Sequence, residues 1–254
     1  AHYKLDGDAE DALDTYDGTA SNVTYSAGVY GGTPTNVNFL GMAFQPDLVW
    51  IKRRDSGIGD TNHLLFDSVR GAGERLIPNA TVVEDTVTDE VTSFDSNGFT
   101  VGADASANGS GGSIVAWCWK AADTTTTIAA NTVGNTIASD VRANQDAGFS
   151  IVSFTGTGSA GSVGHGLSVA PELIIMKNRD GTNSWVVRSS ALGNGYLLLN
   201  STSAYSSTAF WGNPTDSVFS FTSNSSGSIL NNKHIAYCFH SVDGYQKVGS
   251  YTGN

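Results

Sequence analysis

Pro46–Asp55 reads PDLVWIKRRD, and Pro171–Asp180, 125 residues later, reads PELIIMKNRD. Each is a proline, an acid, four apolar residues, a lysine, two polar residues and an aspartate. Internal repetition decides an architecture before any single element does. Further matches follow in the same order. Leu64-Leu65-Phe66 aligns with Trp185-Val186-Val187 at an offset of 121, as do Arg75-Leu76 with Tyr196-Leu197 and Asn79-Ala80-Thr81 with Asn200-Ser201-Thr202. Phe99 aligns with Phe219, and Val115–Trp119 (VAWCW) with Ile235–Phe239 (IAYCF), at an offset of 120. A slowly drifting offset is what small loop insertions produce in tandem copies.

The connecting pieces repeat as well. Gly148–Gly156 (GFSIVSFTG) resembles Gly244–Gly253 (GYQKVGSYTG) with one residue inserted, and Tyr30 of VYGG stands before Pro46 much as Phe154 stands before Pro171. A short aromatic-glycine strand therefore opens each unit. Tyr251-Thr252-Gly253 reads as the opening of a third, so the chain is expected to continue past Asn254 or the strand to complete something else.

Short runs rich in Val, Ile, Phe, Trp and Tyr, bounded by Gly, Asn, Asp and Ser, predict strands. They fall at Asp47–Lys52, His63–Asp67, Gly98–Val101, Ile114–Trp119, Phe149–Phe154, Leu173–Lys177, Ser184–Arg188, Gly195–Leu199, Val218–Phe221 and Ile235–Phe239. LVWI and LIIM are continuous, which suits a central strand buried on both faces. No segment sustains a helical apolar period, and Gly7–Tyr16 is too short and acidic to be an exception. The fold class is all-β, with two tandem antiparallel, jelly-roll-like β-sandwich modules. The expected division is an acidic opening segment over 1–29, a first sandwich over 30–147 and a second over 148–254. Within the first, the Thr-rich tract Ala122–Gly148 is either a linker or a β excursion onto a neighbouring unit.

Composition excludes several classes. The 254 residues carry 13 basic and 24 acidic side chains, a net −11, so nothing matches the phosphate backbone and no nucleic-acid partner is expected. Six acidic residues and Lys4 lie before the first repeat, between Ala1 and Tyr30, a net −5. With 39% hydrophobic residues the chain is too apolar for disorder. No stretch is long and apolar enough for a membrane helix, so no membrane insertion is expected.

The motifs as a set resemble a known family. FQPDLVWIKRRD, HLLFDSVRGAGERL, SFDSNGFTVG and GGSIVAWCWKA, and in the second copy APELIIMKNRDG, SWVVRSSALGNGYLLLNST and HIAYCFHSVDGYQKVGSYTGN, resemble a tandem β-rich repeat module of tailed-phage virion proteins such as tail fibres. The resemblance covers Tyr30 to Asn254. Tyr3–Tyr25 resembles the opening strands of a laminin-G-like jelly roll whose remaining strands are absent. The resemblance implies a virion structural protein, non-enzymatic and without cofactor, located in a tail fibre or appendage and contributing to host attachment. The implied partners are other virion proteins, copies of itself in a homotrimer and a host surface glycan. A capsid decoration protein or head fibre, a carbohydrate-binding module and a subunit of a cellular β-rich surface filament are the alternatives. Ala1–Ala27 and Gly249–Asn254 are candidates for pairing with a neighbour by strand addition.

Chemistry-bearing residues are sparse. Asp6, Asp8 and Asp11 lead an acidic cluster that offers oxygen ligands to Ca²⁺, although the spacing is not that of an EF-hand. None of the histidines, His2, His63, His165, His234 and His240, has zinc spacing. Gly156–Gly164 (GTGSAGSVG) lacks the Gly-Lys-Ser/Thr ending of a phosphate loop and reads as a β-turn. Carboxylates abound in copy one, but none lies between Asp180 and Asp216 in copy two. Cys118 and Cys238 occupy equivalent positions in separate copies, so both are expected free. Among the tryptophans, Trp211, in the loop TAFWGNPTD, is the leading exposed sugar-stacking candidate. Trp119, on the same strand face as Trp117, is second.

Overall fold

A computed structural model describes residues 36–55, 62–222 and 231–253. The chain divides into two compact units, Ala1–Ile77 with Asp85–Lys120, and Pro78–Glu84 with Ala121–Asn254. Both are built of antiparallel sheet, and the α-helical structure among the described residues is one turn, Ala105–Asn108 (α1), capped by the Asp104 carboxylate on the Ser106 N–H. None of the described helices is long and apolar enough to cross a membrane.

In the first unit, β1 (Val37–Leu40), β6 (Val91–Asp95) and β7 (Gly98–Val101) form a three-stranded sheet in the order β1-β7-β6. The second sheet runs β5-β4-β3-β2-β8, from β2 (Leu48–Arg53), β3 (His63–Asp67), β4 (Gly71–Leu76), β5 (Asp85–Thr86) and β8 (Ile114–Trp119). Strand alternation sends Val49, Ile51, Leu64, Phe66 and Ile114 of the large sheet against Val91, Phe99 and Val101 of the small one. The tight β3–β4 turn is locked by a fully buried pair. Asp67 accepts from the Arg70 guanidinium and from the backbone N–H groups of Val69 and Arg70, while Arg70 also donates to the Glu74 and Leu65 carbonyls. Every charge is thus met by a hydrogen bond, the condition under which a buried pair is tolerated.

In the second unit the large sheet has seven strands in the order β15-β14-β13-β17-β11-β10-β9. They are β9 (Thr126–Ile128), β10 (Ser139–Asn144), β11 (Phe149–Thr155), β13 (Leu173–Asn178), β14 (Val186–Ser189), β15 (Leu197–Leu198) and β17 (Lys233–Phe239). The small sheet pairs β12 (Gly161–Gly164) with β16 (Val218–Phe221). Val152, Phe154, Ile174, Met176, Val186, Ala236 and Cys238 face Val163, Phe210, Trp211, Phe219 and Phe221 across the core.

The two central ladders share one register. Leu48 pairs with Trp119, Val49 with Cys118, Trp50 with Trp117 and Ile51 with Ala116. Leu173 pairs with Phe239, Ile174 with Cys238, Ile175 with Tyr237 and Met176 with Ala236. These are the same positions at the offsets 125 and 120. Both cysteines are free, as expected.

Two expectations are corrected. The boundary falls between Lys120 and Ala121 rather than after residue 147, because the Thr-rich tract supplies β9 and β10, which extend the second unit's own sheet through β11. Gly148, at φ 63° in the β10–β11 turn, has no room for a Cβ beside the His240 carbonyl. The second correction is one of register. Leu64 lies opposite Ile51, and Val186 opposite Met176, so β3 and β14 correspond at an offset of 122 rather than 121. A one-residue slip exchanges faces. The true offset keeps Leu64 and Val186 both inside.

Phe219 is fully buried against Phe154 and Trp211. Its truncation, Phe219→Ala, is expected to lower unfolding free energy by about 3–5 kcal/mol in a denaturant titration, with Phe219→Leu losing clearly less.

Candidate functional site

The aromatic residues were the leading binding candidates, and the structure redistributes them. Trp211 does not sit in an exposed loop. It is 2% exposed and packs edge-on against Phe210 and Phe219. The reason lies in the repeat. Trp211 bridges to Phe221 as Val91 pairs with Val101, so at the offset of 120 Trp211 fills the inward core position of Val91. The strand that carries Val91 is reduced in the second unit to this bridge. Counting back from the matched Phe99 and Phe219 would have found it.

Among the tryptophans, the exposed surface belongs to the first unit. Trp50, Trp117 and Trp119 share the face of β2 and β8 that points away from the core. The Trp50 ring meets Trp117 edge-on at 6.5 Å and His63 at 5.7 Å, and its indole N–H donates to His63 Nδ1 at 2.9 Å. That bond suits a neutral imidazole with its proton on Nε2, and burial with the nearby Lys52 charge pushes the His63 pKa down. Trp117 remains 37% exposed, and Trp119 is half-buried. Their equivalents differ: Tyr237 is 2% exposed and pairs with Ile151 of β11, and Phe239 stacks on Phe149 at 4.8 Å.

Buried polar groups are spent on the backbone. Lys177 is 1% exposed, and its ammonium donates to the carbonyls of Asn178 (2.8 Å), Gly181 (2.7 Å) and Asn183 (2.9 Å). Burial pushes its pKa down to about 8, which leaves the ammonium charged at neutral pH. Lys52, its equivalent, likewise donates to the carbonyl of the residue after it, Arg53. The lysine of each repeat thus fastens the chain leaving the central strand. Arg75 holds Asp85 and Glu90 together. Glu90 is 1% exposed, and burial raises its pKa to about 7 against the opposing pull of Arg75.

His165 is fully buried in the second unit. The Leu167 N–H donates to its Nδ1 at 3.1 Å, so its proton sits on Nε2 and is given to the Thr215 carbonyl. Desolvation lowers its pKa to about 4, with the nearby His240 adding to the effect and the Thr215 carbonyl and Asp216 opposing it. Burial also raises both cysteine thiols to about 12, which makes them small apolar fillers. The glycine-rich Gly156–Gly164 segment is a turn that runs into β12. No group of three or more metal-ligating side chains occurs among the described residues. The Ca²⁺ candidates Asp6, Asp8 and Asp11 lie outside them, as do His2, Gly7–Tyr16 and Ala1–Ala27.

Comparison with known proteins returns one match. The family model described as Domain of unknown function (DUF7483) matches residues 21–254. No curated protein and no solved structure is similar to the chain.

The His165 geometry has a pH consequence. Its folded pKa lies below the unfolded value of 6.5, so between pH 6.5 and about 4 the unfolded chain binds a proton that the folded one refuses. The His165 contribution to stability therefore falls with acidification through this window, by up to about 3 kcal/mol. Glu90, with its carboxyl raised to about 7, contributes a slope of opposite sign over much of this window, so the His165 share is read by difference: the unfolding free energy of the chain relative to that of His165→Gln is expected to fall between pH 6.5 and about 4, and a constant difference would contradict it.

Proposed function

We propose that this chain, which belongs to the DUF7483 family, is a virion structural protein. It is a component of a tail fibre or similar appendage that contributes to host attachment. It works by packing and assembly rather than by chemistry, alongside other virion proteins and as a homotrimer.

One observation carries the reading. The chain repeats a whole sandwich with an identical central register, and its buried charged groups hold turns and strand ends. Duplication of a rigid module with its polar groups turned inward builds length and stiffness, the requirement of an appendage. The family likeness of the PDLVWIKRRD, VAWCW and GSYTGN motifs supports the same reading. Exposed Trp117 is the residue on which a host glycan could stack. Its repeat equivalent, Tyr237, is buried.

Mass spectrometry of purified phage particles, with gold-labelled antibody against the chain, tests the assignment. The expected outcome is a fixed copy number with label on the tail or its fibres. Label at lattice points on the head would move the chain to capsid decoration, and its absence from particles would end the virion reading.

A further inference from the structure

One imidazole holds the connection between β12 and β13 over an end of the second core. His165–Ala170 belongs to no strand. Among the described residues four hydrogen bonds fix it. The His165 backbone N–H donates to the Ser217 carbonyl and its Nε2–H to the Thr215 carbonyl, which ties the segment to the turn before β16. The Leu167 N–H donates to His165 Nδ1. The fourth, from the Gln145 amide to the Gly166 carbonyl, is exposed. Beneath these bonds Leu167 is 3% exposed in the core, and Gly166, at φ 73°, leaves no room for a Cβ beside Val141 and Ala143.

Detaching the segment breaks no ladder, and its two ends are anchored separately. The Gly164 carbonyl accepts from Ser139 Oγ, and the Pro171 carbonyl from the Arg188 guanidinium. The ring can make both of its bonds in one protonation state only. A second proton goes to Nδ1 and sets two donors, Nδ1–H and the Leu167 N–H, against each other. Two groups on neighbouring elements act on the ring: Asp216, on the turn before β16, favours the charged form, and His240, after β17, disfavours it. On β10, which packs against Gly166, Asp140 is engaged with Thr127 and Arg142 with Thr125. Burial outweighs the help from Asp216.

We propose that His165 is an acid-released latch: a proton on Nδ1 frees His165–Ala170, and Leu167 with it, from the end of the core while the sheets stay paired. Release bares Leu167 and the Val141 and Ala143 side chains against which Gly166 lies. In the released segment the ring is solvated and takes its proton near the ordinary value of 6.5. The released fraction therefore grows as pH falls from 6.5 to about 4. This is a local opening, distinct from the loss of overall stability that the same titration causes. It does not depend on the virion assignment: a chain found elsewhere would still open this way, and a virion protein need not.

The test is residue-resolved amide exchange of the full chain, expressed as protection factors so that the intrinsic pH dependence of exchange is removed. The Leu167 amide should be less protected than the ladder amides of β11 and β17. Its protection should fall about 30-fold from about pH 7.5 to about pH 5. Urea at about 1 M should leave it unchanged, because a local opening exposes little surface. His165→Gln, which cannot take the proton, should lose the pH response. Nitrogen-15 spectra of the imidazole in the unmodified chain, which need no variant to fold, should show Nδ1 without a proton at pH 7. Leu167 protection that matches the ladder amides and is lost with them in urea, protection that does not change with pH, or a proton on Nδ1 at pH 7 overturns the proposal.

Discussion

The antiparallel ladder between the strand after each proline and the last long strand of each repeat constrains everything else. Backbone bonding fixes which residues lie opposite, and the two-residue period then decides which face meets the core. With Val49 opposite Cys118 and Ile174 opposite Cys238, one inward row is set in each unit. The flanking strands β3 and β14 must place Leu64 and Val186 in that same row. The small sheets close over it through Phe99 and Phe219, which occupy equivalent positions.

Around this shared ladder the two units diverge. The second extends its sheet by β11, β10 and β9, which bury β17 on its far side. The first instead completes its small sheet with β6, where the second keeps only the Trp211 bridge. A large indole in place of Val91 makes up volume at the point where the second unit has a bridge instead of a strand. Packing to constant density rather than conservation of strand number relates the two cores. The polar devices follow the same pattern. The lysine after each central strand holds local carbonyls in both units, whereas the Asp67–Arg70 lock is peculiar to the first.

The repeat, the all-β class and the strands with apolar runs were legible in the sequence, because burial on one or both faces leaves a compositional trace. Gly71–Leu76 (GAGERL) and Ser139–Asn144 (SDVRAN) were not, because their ladder bonds are made by the backbone while half of their side chains meet water. The Thr-rich tract hid β9 for the same reason. Trp211 was misplaced because Gly, Asn and Pro after it signal a loop, and only the register of its neighbour shows that it points inward. The aromatic face of Trp50 and Trp117 was visible as residue types. Its exposure was not, since the equivalent Tyr237 is buried and residue type alone does not distinguish the two.

Amide hydrogen exchange resolved along the chain tests the shared ladder most directly. Segments whose bonds open only on global unfolding exchange slowest. The account predicts that Leu48–Arg53, Leu173–Asn178 and Lys233–Phe239 are the most protected, with Ile114–Trp119 protected on alternate amides where it faces β2. Exchange of β2 or β13 at the rate of the surface loops, or protection confined to one repeat, would contradict it.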